Sequence, residues 1–179
     1  MEFPKPRVVI SKCIEFESVR WNAQIITNEL VKSLIPHIEA IPVCPEVEIG
    51  LPIPRDTLRI VRIEGEDRLM QPKTGKDLTK EMNEFTDRFL NSLPPVDGFI
   101  MMSQSPSSGL SHVKIYAGIE KAPIIERGAG IFGRVIKEKF GNLAVEDEGR
   151  LRNPIIREHF LRKLFLLADF RENTGARIN

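Results

Sequence analysis

Short apolar runs alternate along this chain with longer amphipathic stretches. Arg7 to Cys13 (RVVISKC) is β-branched, shows no alternation of charge and predicts a buried strand. From about Asn22 to Ile38, Ile26, Leu30, Leu34 and Ile38 recur every four positions, with Glu29 and Lys32 on other faces; this predicts a helix. Ala40 to Cys44 is another short apolar run. PEVEIGLPIPRD follows it, with three prolines and a glycine, and predicts a loop. LRIVRIEGEDRLMQP sets Leu58, Ile60 and Val61 among arginines around Gly65 and predicts a hairpin. KDLTKEMNEFTDRFLNSL predicts an amphipathic helix with Leu78, Met82, Phe85, Phe89 and Leu93 in one stripe and Asp77 as its N-cap. GFIMMS predicts a buried strand, GAGIFGRVIKEKFG a helix stopped at Gly141, and NLAVEDEG a last short strand.

Helices alternating with short apolar strands predict an α/β domain over residues 1–150: a mostly parallel, Rossmann-like sheet flanked by helices. Residues 151–179 read as an extra C-terminal helix and tail, the expected start of a second domain. From Pro154 this helix carries Ile155, Ile156, Phe160, Leu161, Leu164, Phe165, Leu166 and Leu167, more apolar width than a surface helix needs. The 154–172 helix is therefore expected to pack on its own domain, on a second copy in a homodimer, or on a further domain.

Composition narrows the function. The 179 residues are 41% hydrophobic and 28% charged, as in an ordinary globular protein. Lys and Arg number 26 against 25 Asp and Glu, so the net charge of +1 gives no case for nucleic acid or an anionic membrane. No apolar run approaches the ~20 residues of a membrane helix. The apolar part of MEFPKPRVVIS is too short for a secretory signal, so the chain reads as cytoplasmic. In that compartment the two cysteines, Cys13 and Cys44, are not expected to form a structural disulfide, and their spacing is no metal motif by itself.

Their positions carry more information. Ligands of open parallel sheets bind outside the carboxyl ends of the strands. Here the first strand ends in Ser11-Lys12-Cys13, the second in Cys44-Pro45-Glu46, and GFIMMS runs into Ser103 through Gly109. A parallel sheet would set both thiols, one carboxylate and a hydroxyl-rich loop on one rim.

These residues carry a resemblance. ISKC…SVRWNAQ, VCPEVEIGLPIPRDTLRIV and SQSPSSGLSHVKIY resemble three blocks of the 2-thiouracil desulfidase family, long listed as a domain of unknown function. QPKTGKDLT and AVEDEGRLRNPIIREHFLRKLF are similar to its longer, two-domain form. The resemblance implies a cytoplasmic iron–sulfur enzyme. In such an enzyme three cysteines hold a 4Fe-4S cluster, and the fourth iron takes sulfur from a thiolated pyrimidine such as 2-thiouracil. Water then replaces that sulfur without net redox change. Two ligand positions match Cys13 and Cys44, which are also the implied metal ligands. The third falls on Ser108, where the family has cysteine. Three readings of Ser108 stand open: an engineered change, a natural variant with a weaker or different centre, or a relative that lost the cluster and kept the pocket.

By the same resemblance Glu46 and Ser105 are implied catalytic residues that handle water and protons. Arg20, Arg55, Ser107 and Gly109 are implied to bind the thio-heterocycle. Each also has a plainer role: a solvated acid for Glu46, a turn serine for Ser105, a salt-bridging arginine for Arg20 and Arg55. Asn22 is a candidate to pin the loop after Cys13, and His112 is noted only for its place beside the serine loop. Three function classes follow: a cluster-dependent desulfidase, a cluster-free module binding a small heterocycle or anion through the serine loop, and an interaction domain docking a partner through its C-terminal helix. The loop lacks the Gly-Lys-Ser/Thr of a phosphate-binding loop.

Overall fold

A computed structural model describes residues 4–174. Its centre is a parallel sheet of β1 (Arg7–Ser11), β2 (Glu39–Val43), β6 (Gly98–Met101) and β9 (Ala144–Asp147), in the order β2-β1-β6-β9. The register sets Val9 beside Ile41 and Phe99, and Phe99 beside Val145. β1 and β6 are buried on both faces, which is why their runs show no polar alternation. Successive side chains still point to opposite faces. Val9, Phe99 and Met101 join one core cluster; Val8, Ile10 and Ile100 join the other. Each such buried side chain contributes about 1.5–3 kcal/mol.

A second sheet packs into the first cluster. It contains β3 (Arg59–Ile63), β4 (Glu66–Gln71), β5 (Lys76–Asp77), β7 (Val113–Tyr116) and β8 (Ile124–Gly128), in the order β5-β4-β3-β7-β8. Only the β3–β7 pair is parallel. The expected β3–β4 hairpin is present; the second sheet as a unit, and β7 and β8, were not expected. Two helices cover the same side, α3 (Thr79–Ser92) and α4 (Ile131–Phe140), through a ring cluster of Phe85, Phe89 and Phe132. Asp77 accepts the Thr79 N–H at 2.9 Å, close to its expected capping role.

The helix expected over 22–38 is much shorter. Only α1 (Glu29–Leu34) is α-helical, with Asn28 as its N-cap and a single 3-10 turn over Ile35–His37. The preceding residues loop back instead. Ile14 bridges Ile26, the Ile26 N–H donates to the Cys13 carbonyl at 2.7 Å, and Ala23 takes a left-handed φ of 56°. The loop expected from Pro45 opens with a short helix, α2 (Pro45–Glu48).

α5 (Pro154–Thr174) begins where proline at a helix start predicts. It packs on its own sheet: Phe160 and Leu164 join the cluster of Val8, Ile10 and Ala144. A Cβ on Gly98 would stand 2.8 Å from Leu164 Cδ1, so the glycine admits the helix. Arg171 pairs with buried Asp97 at 3.0 Å, and Asp97 also accepts the Arg7 N–H at 2.8 Å. Ile155, Phe165, Leu166 and Phe170 remain exposed on the other side of the helix. Among the described residues, no helix is long and apolar enough to cross a membrane.

Candidate active site

The carboxyl ends of β1, β2 and β6 open into a cavity of about 420 Å³, within the size range of small-molecule sites. It is lined by Cys13, Cys44, Glu46, Arg20, Arg55 and the serine loop from Ser103 to Ser108, with Trp21 at its wall. Gly109 does not line it. That residue lies beneath the loop, its N–H donating to the Ser105 carbonyl at 2.9 Å.

Both thiols stand at strand ends because the backbone locks them there. Lys12 N–H donates to the Val43 carbonyl at 2.8 Å, tying the two ends together, and the Met102 N–H donates to Ser11 Oγ at 2.8 Å. Cys13 is a buried free thiol and Cys44 a partly buried one. Burial, reinforced by the charge of Cys44, pushes the Cys13 thiol up to about 12; the charge of Arg20 acts the other way. Burial also raises Cys44, opposed by the Val47 N–H. Both are therefore protonated, weakly nucleophilic thiols near neutral pH.

Glu46 is buried and fully engaged. Its Oε2 accepts from Arg55 Nε and pairs with Nη2, each at 2.7 Å, and its Oε1 accepts the Ser107 hydroxyl at 2.8 Å. Arg55 Nη1 also donates to the carbonyls of Val19 at 2.9 Å and Pro52 at 3.4 Å, and its Nη2 to Cys44 Sγ at 3.9 Å. Ser107 Oγ lies 2.9 Å from Ser105 Oγ, so two hydroxyls connect the cavity wall to the carboxylate. Such a chain can pass a proton between Ser105 and Glu46. Ser108 is 3% exposed, and its hydroxyl has no hydrogen-bond partner among the described residues; only its N–H is used, donating to Ser105 Oγ at 3.2 Å.

The loop is held by the start of α4. Gly130 donates its N–H to the Gly109 carbonyl at 2.8 Å, and Phe132 and Gly133 donate theirs to the Ser107 carbonyl at 2.9 and 3.2 Å. A Cβ would fall 2.4 Å from the Ser107 oxygen at Gly130 and 2.3 Å from the Gly109 oxygen at Gly133. The glycine-rich helix start thus lets two backbones touch. Gln104 takes a left-handed φ of 56° at the loop's entry.

Two participants were missed from sequence. Trp21 carried a signal, as the single tryptophan beside a singled-out arginine. Glu148 carried none: it is buried behind Ser103 and accepts its N–H and hydroxyl at 2.8 and 2.9 Å. Asn22 bonds Gln24 on the surface, and His112 sits at φ 57° away from the cavity lining.

A family model described as 2-thiouracil desulfurase matches residues 8–148, which span every one of these cavity elements. The chain belongs to that family. It is similar to the uncharacterized protein YbbK of Bacillus subtilis (strain 168), 25% identical over 148 residues, or 79% of this chain and 96% of that protein. Its fold matches that of TudS, a 4Fe-4S-dependent thiouracil desulfidase, with a TM-score of 0.65 at 24% identity over 88% of this chain and 99% of that one.

The donor set of this desulfurase-family chain does not fit a four-iron cluster. Such clusters are held by thiolates, soft and readily ionised. Here the cavity offers two thiols and, at Ser108, a harder hydroxyl that holds its proton far more tightly. Glu46 cannot substitute, since both its oxygens are occupied. No group of three His, Cys, Asp or Glu side chains suited to a metal comes together among the described residues.

Proposed function

We propose that this chain binds a small thiolated heterocycle of the thiouracil kind in the cavity, as a desulfurase-family protein whose sulfur-accepting centre is incomplete. One observation supports it above the rest: the Ser105–Ser107–Glu46 relay stands intact in a cavity of heterocycle size, while oxygen occupies the third donor position.

On this reading Arg55 is a positioning residue. Its bidentate hold on Glu46 fixes one carboxylate oxygen and leaves the other for Ser107. Ser105, at the cavity end of the relay, meets a ring N–H or a bound water and exchanges its proton through Ser107 with Glu46. Ser107 links the two ends of the relay, and the buried thiol of Cys13 and the partly buried one of Cys44 give the ring's sulfur a soft wall.

Calorimetric titration of 2-thiouracil into the purified protein tests the reading. Saturable binding that weakens about tenfold in Ser107→Ala is expected; no binding by the folded protein would refute it. The two thiols in one cavity favour a second reading, turnover with an iron–sulfur centre. Release of sulfide from 2-thiouracil by the unaltered chain after anaerobic reconstitution decides for that second reading.

A further inference from the structure

The cavity's charges leave one cation unmatched. Apart from the thiols, four ionisable side chains line it: Lys12, Arg20, Glu46 and Arg55. Lys12 pairs with Glu17 at 2.9 Å, and Glu46 with Arg55 at 2.7 Å. Glu148, behind the wall, has both oxygens engaged by Ser103. The Arg20 guanidinium has no hydrogen bond or ion pair among the described residues. An arginine presents five donors in a planar fork, suited to a carboxylate or an ionised ring edge.

Next to it stands Trp21. This single tryptophan is 45% exposed although it lines the cavity. Its backbone is fixed: the Trp21 carbonyl accepts the Arg55 N–H at 2.8 Å, and the Arg20 carbonyl accepts the Ala23 N–H at 2.9 Å in a turn closed by the left-handed Ala23. A large flat apolar side chain thus stands on a fixed backbone beside a free guanidinium. Indole faces stack heteroaromatic rings, and the preorganised backbone lowers the ordering entropy lost on binding.

We propose that Arg20 and Trp21 make this cavity selective for an anionic planar heterocycle, stacked on the indole and neutralised by the guanidinium, over a neutral ring of the same shape. The proposal rests on the heterocycle-binding reading and names its substrate class: thiopyrimidines that carry a carboxylate or an ionised ring.

The test compares 2-thio-orotate, whose carboxylate is ionised at about pH 6, with 2-thiouracil, mostly neutral there. Affinities come from calorimetry. Because Trp21 is the single tryptophan, intrinsic tryptophan emission reports this residue alone. In the unaltered chain, 2-thio-orotate is expected to bind about tenfold or more tighter and both ligands to change the emission. R20Q is expected to abolish the preference, weakening 2-thio-orotate about tenfold or more and 2-thiouracil by less; R20K, which keeps the charge, retains part of it. W21L is expected to weaken both ligands about tenfold, and W21F less. Thermal melts establish that each variant is folded. Binding of 2-thiouracil without a preference for 2-thio-orotate, a preference that survives in R20Q, or emission unchanged at saturation overturns this proposal alone. No heat and no emission change with either ligand overturns the heterocycle reading and this proposal together.

Discussion

Glu46 and Arg55 form the most tightly constrained pair in the cavity: side chains 11% and 3% exposed, joined at 2.7 Å by two contacts. Removing one charge leaves the other buried without a counter-charge. Glu46→Gln is therefore expected to destabilise the fold by about 3–5 kcal/mol, read by urea unfolding. An unchanged midpoint would mean that water already reaches Arg55. The thiols make a second residue-scale prediction. Cys13 titrates near 12 in the fold against 9.0 for an ordinary thiol, because burial disfavours its thiolate. The unfolded chain then binds fewer protons between those values, so this stability is fully present below about pH 9 and is lost as pH rises toward 12. Unfolding midpoints measured from about pH 8 to 11 should fall, and the fall should shrink in Cys13→Ala. Alkylation of Cys13 near pH 8 should be slow compared with a free thiol. At this scale the sequence exposed the strand-end residues Cys13, Cys44 and Glu46 and the serine loop, because strand ends in a parallel sheet share one rim. It could not expose that Arg55 is already occupied by Glu46, or that Gly109 lies under the loop, since both depend on which backbones meet in space.

Among the elements, α4 decides the shape of the serine loop. The N–H groups of its N-cap Gly130 and first turn are satisfied by the carbonyls of Gly109, Pro106 and Ser107 rather than by a side-chain cap. Gly133→Ala would drive a methyl group to 2.3 Å from the Gly109 oxygen and 2.8 Å from that of Ser108. A loss of about 1–3 kcal/mol in unfolding free energy is expected, together with weaker 2-thiouracil binding. Gly118→Ala, whose nearest contact would be 3.4 Å, is the control expected to do neither. Elements were legible where one periodicity ran uninterrupted, as in the double-buried β1 and β6 and the striped α3. The helix over 22–38 failed for a physical reason. Its four-residue spacing continued through Ile26, but backbone pairing of Ile26 with Cys13 and Ile14 competes successfully for the same residues. β8 was illegible because all but its last residue are exposed, leaving no apolar alternation to detect.

On the scale of the whole molecule, two sheets and five α-helices among the described residues bring five chain segments to one cavity, and family membership over 8–148 covers all of them. On the proposed reading the cavity keeps its hydroxyl–carboxylate relay, while its set of soft donors is one sulfur short. On that reading, the oxygen at position 108 is what keeps this chain from holding a cluster. The Ser108 hydroxyl has no bonding partner to lose, and a sulfur there meets the same buried surroundings, so Ser108→Cys should fold as the unaltered chain does. The direct measurement is anaerobic reconstitution of both proteins with iron and sulfide, followed by bound iron, the visible charge-transfer absorption and sulfide release from 2-thiouracil. A colourless, inactive unaltered chain is expected beside a brown Ser108→Cys protein carrying iron and releasing sulfide. A brown unaltered chain with full iron and turnover would show that the hydroxyl at position 108 is no barrier to the cluster.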